Sequence, residues 1–220
     1  MPNPLLIAPQ WIVPVGPAPA DPRDSERAHR VLVEHAVVIE GERIAALLPL
    51  AEARQRYPHA DTLALPGHLL APGFVNLHSH AAMALLRGVG DDLPLQRWLN
   101  ERIWPLESRL VGARFVHDGA LLAFHEMLLG GITCVNDMYF FPEAAIAAAT
   151  TLGLRSVHGI IVIDFPSAWA SDAADYLRKG LELRDRMRDE PLVDFCLAPH
   201  APYTVSDDAQ IGRASCRERV

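Results

Sequence analysis

The sequence predicts an α/β fold in which a parallel sheet is covered by helices and follows a small β-rich region. Residues 1 to about 70 contain β-rich runs separated by turn residues. From Pro72 onwards, short apolar runs alternate with segments of helical periodicity. That alternation is typical of βα units with parallel strands. Four such units can form an open sheet or half of an eight-stranded barrel, and the length of the chain does not distinguish the two.

The first region is predicted to contain three β-rich segments. Leu5–Val15 is apolar and bounded by prolines. Arg30–Leu50 holds two β-rich runs, with Gly41 as the turn residue between them. Thr62–Leu70 leads into a Pro-Gly pair. A region of this size buries little core alone, so we expect it to pack against another part of the protein.

The second region is predicted to alternate strands with helices, on the spacing of its apolar residues. The predicted strands are Phe74–His78, Ile132–Asp137, Arg155–Ile163 and Leu192–Pro199. Helices are predicted around Leu95–Ile103, around Val116–Met127, over Pro142–Leu152, and from Ser171 or Asp172 to about Asp189. Glycines directly after the second and third of these helices are expected to end them.

The composition indicates a globular protein without a nucleic-acid or membrane partner. Half of the 220 residues are hydrophobic and 21% are charged. The formal net charge of −7 disfavours an anionic partner, and no basic cluster is interleaved with aromatic residues. The three cysteines show no CxxC spacing, and no apolar run approaches the roughly 20 residues that span a bilayer. Because the N-terminus also lacks a signal-peptide pattern, we predict a cytoplasmic protein.

The last ten residues do not continue the pattern before them. Ile211–Val220 has no amphipathic periodicity, and it corresponds to one reading frame of a common sequencing-adaptor oligonucleotide. We therefore interpret the segment as a non-native tail and leave it out of fold reasoning. The alternative is a genuine basic C-terminal tail.

The strongest chemical signal is a pair of histidines where the first strand of the second region ends. His78 and His80 are two residues apart in PGFVNLHSH, and side chains two apart on a strand point to the same face. Two imidazoles on one face, at the carboxyl end of an apolar strand that we expect to be buried, can share a zinc ion. Surface or packing histidines give the same pattern, and two ligands alone leave a zinc site incomplete.

Three segments of the chain carry a resemblance to the amidohydrolase superfamily, and within it to methylthioadenosine/S-adenosylhomocysteine deaminases and related triazine hydrolases. They are LAPGFVNLHSHAAMALLRGVGDDLPLQRWLNERIWPLE (70–107), GGITCVNDMYFFP (130–142) and LAPHAPYTVS (197–206). The resemblance implies a β-sandwich part at 1–70 and the first half of a (β/α)8 barrel at 71–210. It also implies one zinc ion per subunit, a small nucleoside substrate and a homo-oligomeric whole protein.

The resemblance implies roles for four residues. His78 and His80 would bind zinc, with manganese or iron as alternative metals. Glu107 would bind ribose hydroxyls, unless it is an exposed carboxylate at a helix end. His200 would contact the purine nucleoside, with a third zinc ligand or a packed histidine as alternatives. The other zinc ligands and the acid/base glutamate are expected beyond this chain, which we therefore expect to be inactive alone.

The substrate stays open between several classes. The resemblance implies that zinc-activated water deaminates methylthioadenosine or S-adenosylhomocysteine, but triazine and guanine hydrolases need the same histidine pair. Glu107 favours a nucleoside because a triazine has no ribose. Against this, SVHGIIVID at 156–164 lacks the arginine that some relatives place in this region. The alternative that is not an enzyme is a catalytically incomplete binding module.

Overall fold

The chain divides into two compact units. The computed structural model describes residues 3–15 and 31–209. The units are Met1–Pro72 and Gly73–Val220. The polar stretch at 18–29 and the tail Ile211–Val220 lie outside the described residues, so the non-native origin of that tail stays a prediction.

The first unit is a five-stranded mixed sheet with one short helix. Its elements are β1 (Leu5–Ile12), β2 (Leu32–Val33), β3 (His35–Glu40), β4 (Arg43–Pro49), α1 (Leu50–Arg56) and β5 (Asp61–Leu70). Strand β1 pairs antiparallel with β2 and β3 along one edge and parallel with β5 along the other. Strand β4 pairs with β3 through a turn at Gly41, whose φ of 59° is in the left-handed region. The predicted strands and the predicted turn residue are present.

Helix α1 packs on one face of this sheet and departs from the sequence prediction. Its Ala53 is fully buried with Leu6, Ala36 and Val38. The sequence prediction continued a β-rich run to Leu50, whereas the strand ends at Pro49. The helix has seven residues, which are too few for a helical apolar period to stand out. The described residues of this unit form a single sheet, and the β-sandwich stays a prediction.

The second unit contains a four-stranded parallel sheet whose strands pair in chain order. The strands are β6 (Phe74–Ser79), β7 (Ile132–Asp137), β8 (Arg155–Val162) and β9 (Val193–Pro199). They agree closely with the four predicted strands. Because the strands are parallel, their carboxyl ends lie along one edge of the sheet. Within residues 73–209 the sheet does not close into a barrel.

Helices connect the strands of this sheet. A 3₁₀ helix (Ala81–Leu86) follows β6, and the later helices are α2 (Leu95–Trp98), α3 (Trp104–Leu110), α4 (Ala113–Leu129), α5 (Pro142–Leu152) and α6 (Ala173–Arg186). The helix predicted around Leu95–Ile103 is interrupted, because Leu99–Ile103 is a π-helical turn. Helix α6 begins after Asp172, whose side chain accepts a hydrogen bond from the Asp175 backbone N–H. Nowhere in the described ranges does a helix combine the length and apolarity that crossing a membrane requires.

Small residues allow close packing in the second unit. The core between the helices includes several fully or almost fully buried alanines: Ala82, Ala120, Ala145, Ala148 and Ala149. Gly119 on α4 lies against the 3₁₀ helix, where a Cβ would come 2.5 Å from the Ala82 carbonyl oxygen. A side chain at 119 would therefore force one backbone away from the other.

Strand β6 is exposed, which contradicts the expectation of a buried strand. Phe74, Val75 and Leu77 are 69%, 56% and 75% exposed. The reason is the position of β6, which pairs with β7 alone among the described strands, whereas β8 has neighbours on both sides and is largely buried.

A buried histidine on β8 is expected to make stability depend on pH. His158 is 1% exposed, and burial lowers its pKa from 6.5 to about 4. As pH falls below 6.5, the unfolded chain takes up a proton that the folded chain excludes until about pH 4. Stability is therefore lost over that window, by at most about 3 kcal/mol at its lower end.

We predict that lowering the pH from 7 to 4.5 shifts the urea midpoint of the metal-free chain less favourably than that of His158→Gln, because only the unmodified chain carries the buried histidine that resists protonation. Glutamine keeps a polar group near Ser156, whose Oγ lies 3.0 Å from the His158 Nε2, but does not titrate. The measurement is urea unfolding of both proteins at several pH values. An identical pH dependence in the two proteins would contradict the assignment to His158.

Candidate metal and nucleoside site

His78 and His80 lie together at the carboxyl end of β6. His78 is in the strand, and His80 directly follows it. The centroids of the two rings are 4.8 Å apart, and the ring planes are nearly perpendicular at 81°. His78 is exposed and His80 is half-buried, so the pair presents two ring systems side by side to solvent.

A backbone contact sets the protonation of the His80 ring. Its Nδ1 lies 2.6 Å from the carbonyl oxygen of Met138. Because a carbonyl oxygen only accepts, Nδ1 carries the proton and donates it. The Nε2 atom of His80 is then left with a lone pair, which is the form that binds a metal ion.

Asp137 anchors the turn between β6 and the 3₁₀ helix. Its carboxylate is 2% exposed and accepts a hydrogen bond of 2.7 Å from the Ala81 backbone N–H. On the other side of His80, the Met138 backbone N–H donates to the Ser79 carbonyl oxygen at 2.9 Å. Burial raises the pKa of Asp137 to about 6, while the hydrogen bond from Ala81 acts to lower it. The end of β7 therefore holds the backbone on both sides of His80.

Glu107 lies on α3, half-buried near His80. Its Oε1 accepts a hydrogen bond of 2.7 Å from the Tyr139 hydroxyl. Burial raises the pKa of Glu107, whereas the Tyr139 hydrogen bond and the charge of His80 act to lower it. This environment differs from that of an exposed carboxylate at a helix end, the alternative left open by the sequence.

His200 directly follows β9. Its Nδ1 lies 2.9 Å from the Thr204 Oγ1, and that hydroxyl itself donates to the Ala201 carbonyl at 3.1 Å. The Thr204 oxygen therefore accepts from Nδ1, which leaves Nε2 of His200 with a lone pair. Burial lowers the pKa of His200, and the charge of His80 lowers it further. The carboxyl ends of β6 and β9 are thus close enough for His80 and His200 to interact electrostatically.

The two histidines of β6 fit a zinc ion as part of its ligand set. Zinc takes nitrogen ligands and needs three or four protein groups. In the part of the chain that the structure describes, no three histidine, cysteine, aspartate or glutamate side chains are grouped to hold a metal ion. Among the described residues His200 is therefore not grouped with His78 and His80, and its role stays a prediction.

Neither Tyr139 nor Asp137 is predicted from the sequence to be part of this site. Nothing in the run DMYFF separates Tyr139 from Phe140 and Phe141, which pack against the hydrophobic core. Asp137 does carry a signal, because an acidic residue that ends an apolar strand must find a hydrogen-bond donor once it is buried.

Comparison with known proteins identifies the family. Residues 69–213 match the amidohydrolase family. The chain belongs to this family. Residues 36–60 of this amidohydrolase, in the first unit, also match an imidazolonepropionase-like composite domain of bacteria.

Individual relatives of this amidohydrolase are similar over most of its length. It is 43% identical over 208 residues to the 5-methylthioadenosine/S-adenosylhomocysteine deaminase of Saccharophagus degradans. The matched residues make up 94% of this chain and 44% of that protein. A crystal structure of an adenosine deaminase from Xanthomonas campestris with bound zinc matches with a TM-score of 0.89 and 44% identity, over 98% of this chain and 47% of that one. Guanine deaminase of E. coli has a similar fold, with a TM-score of 0.81 at 19% identity over 97% of this chain and 51% of that one.

These likenesses show a TIM-barrel-type α/β fold and confirm the predicted class in that coarser form. The amidohydrolase chain spans about half the length of the relatives it matches. Its four parallel strands are those of an unclosed sheet, so their place as the first half of a closed barrel remains a proposal.

We predict that Asp137→Ala lowers the free energy of unfolding by about 1–3 kcal/mol, because the buried Ala81 N–H loses its acceptor. Asp137→Asn keeps an acceptor oxygen and should cost less. The measurement is urea unfolding of the metal-free chain. Asp164→Ala is the matched control, since its exposed carboxylate also accepts a backbone N–H, that of Ser206 at 2.6 Å. Equal losses in the two alanine variants would contradict a special role for Asp137.

Proposed function

We propose that this chain supplies the zinc-binding and nucleoside-binding part of a hydrolase that deaminates 5′-methylthioadenosine or S-adenosylhomocysteine. The observation that carries the proposal is the grouping of His78, His80 and Glu107 near the carboxyl end of a parallel sheet. That end is where enzymes with this kind of sheet bind their substrates. The names of two relatives above 40% identity support the chemistry, one by its nucleoside substrates and the other by its bound zinc.

His78 and His80 would hold the zinc ion through their ring nitrogens. The Met138 carbonyl keeps the proton of His80 on Nδ1, so that Nε2 is the atom that would face the metal. Zinc, when bound, lowers the pKa of water to about 7 and so makes hydroxide available at neutral pH. Asp137 fixes the turn that carries His80, and His78 lies in the strand just before it.

Glu107 would bind the ribose of the substrate. An ionised carboxylate accepts two hydroxyl hydrogen bonds, and the vicinal hydroxyls of a ribose offer two donors. Guanine and triazines have no ribose, so this residue favours a nucleoside over both. His200 would contact the purine, because the lone pair on its Nε2 can accept a hydrogen bond from the amino group of the adenine ring.

The remaining catalytic groups are proposed to come from outside this chain. The chain covers 44% of the Saccharophagus relative, and its described part groups only two zinc ligands. A positioned acid/base is needed to protonate the purine ring and the departing ammonia. We therefore propose that residues 1–209 contribute to binding the metal ion and the substrate but do not catalyse the deamination by themselves.

We expect the whole protein that carries this chain, loaded with zinc, to release ammonia from methylthioadenosine and S-adenosylhomocysteine. Residues 1–209 alone should release none. Glu107→Gln should raise the KM for these nucleosides about tenfold or more, because the charged acceptor is lost. A coupled ammonia assay measures the whole protein, residues 1–209 and the Glu107→Gln variant, with guanine and an aminotriazine as further substrates. Faster turnover of guanine or the triazine would contradict the proposed substrate class. Ammonia release by residues 1–209 alone would contradict the proposal that the acid/base lies outside this chain.

Zinc binding tests the histidine pair independently of turnover. We expect His78→Ala and His80→Ala each to lower the zinc content of the whole protein well below one ion per chain. His117→Ala is the matched control, because this histidine is on α4 and contacts Asp118 at 3.1 Å. Atomic absorption after gel filtration gives the metal content. Unchanged zinc in the first two variants would overturn the metal site.

A further inference from the structure

Tyr139 connects the proposed substrate carboxylate to the histidine pair. It lies two residues beyond the end of β7 and is 7% exposed. Its hydroxyl donates to Oε1 of Glu107 at 2.7 Å, and its ring centroid is 6.5 Å from that of His80. Glu107 is on α3 and Tyr139 is in the loop after β7, so this hydrogen bond holds the helix and the loop together.

The direction of the hydrogen bond determines what remains for a ligand. A phenol donates one proton, and an ionised carboxylate only accepts. Tyr139 therefore occupies one lone pair on Oε1 of Glu107 and leaves Oε2 without this contact. A carboxylate with one oxygen fixed in this way presents the other in one orientation, so less rotational freedom is lost when a diol binds.

The residue before Tyr139 contacts the metal ligand. The Met138 carbonyl accepts from Nδ1 of His80 at 2.6 Å, and the Met138 N–H donates to the Ser79 carbonyl at 2.9 Å. Two consecutive residues thus orient the group proposed to bind the metal and the group proposed to bind the ribose. One short backbone segment therefore contacts both groups.

We propose that Tyr139 is a positioning residue for ribose recognition, which holds Glu107 so that the enzyme selects nucleosides with both ribose hydroxyls. The inference rests on the proposed function, because it takes Glu107 as the group that binds the diol. It assigns to Tyr139 an effect on specificity for the sugar and no part in the reaction at the purine ring.

The test compares Tyr139→Phe with the unmodified whole protein on adenosine and on 2′,3′-dideoxyadenosine. Phenylalanine keeps the buried ring and removes only the hydroxyl. We expect the KM for adenosine to rise about tenfold, because Glu107 is no longer held in the orientation that the diol needs. The KM for the dideoxy compound and both kcat values should change less than about twofold, and zinc content should stay the same. Calorimetric binding of adenosine to the zinc-free protein gives a readout separate from turnover.

Two further variants make the result decisive. Tyr176→Phe removes a hydroxyl from a second buried tyrosine, on α6, and should leave both KM values unchanged. In a Glu107→Gln background, Tyr139→Phe should add little, because its effect passes through the carboxylate. Equal rises in KM for both nucleosides, or full additivity with Glu107→Gln, would overturn the proposal. If the unmodified protein itself did not distinguish the two nucleosides, the ribose role of Glu107 would fail, and the inference with it.

Discussion

The hydrogen bonds between the ends of β6 and β7 are the constraint on which the site depends. Parallel strands that pair side by side end side by side, so the residues after one strand meet those after the other. Here Met138 accepts from the His80 ring, and the buried Asp137 accepts from the Ala81 N–H. An imidazole on a chain turn has several rotamers and two tautomers, and these contacts select one of each.

The titratable side chains of the site differ in how deeply they are buried. Asp137 is buried and hydrogen-bonded, whereas His78 is exposed to solvent. Glu107 is half-buried between these extremes, with burial raising its pKa and its Tyr139 contact opposing that rise. Charged groups at intermediate depth interact more strongly than surface pairs, because water screens them less.

Much of this arrangement follows from local sequence patterns. The strands of the second unit and the helix Pro142–Leu152 are predicted from apolar spacing and from the glycines that end helices. The histidine pair follows from the two-residue period of a strand. What local patterns cannot give is a contact such as Tyr139 with Glu107, whose residues are 32 positions apart on different elements. Local patterns also show that β6 is apolar without showing that it is an edge strand of the described sheet, so they do not predict its exposure.

The close approach of Gly119 to Ala82 has a consequence for how this protein can vary. Ala82 belongs to the helical turn that starts immediately after His80, and the nearest atom to a methyl group at 119 would be its carbonyl oxygen. Adding even the smallest side chain there would push on the backbone that carries a proposed metal ligand. Gly119 has no side chain and is far along the chain from the histidines. It nevertheless limits which sequences can keep the spacing of His78 and His80.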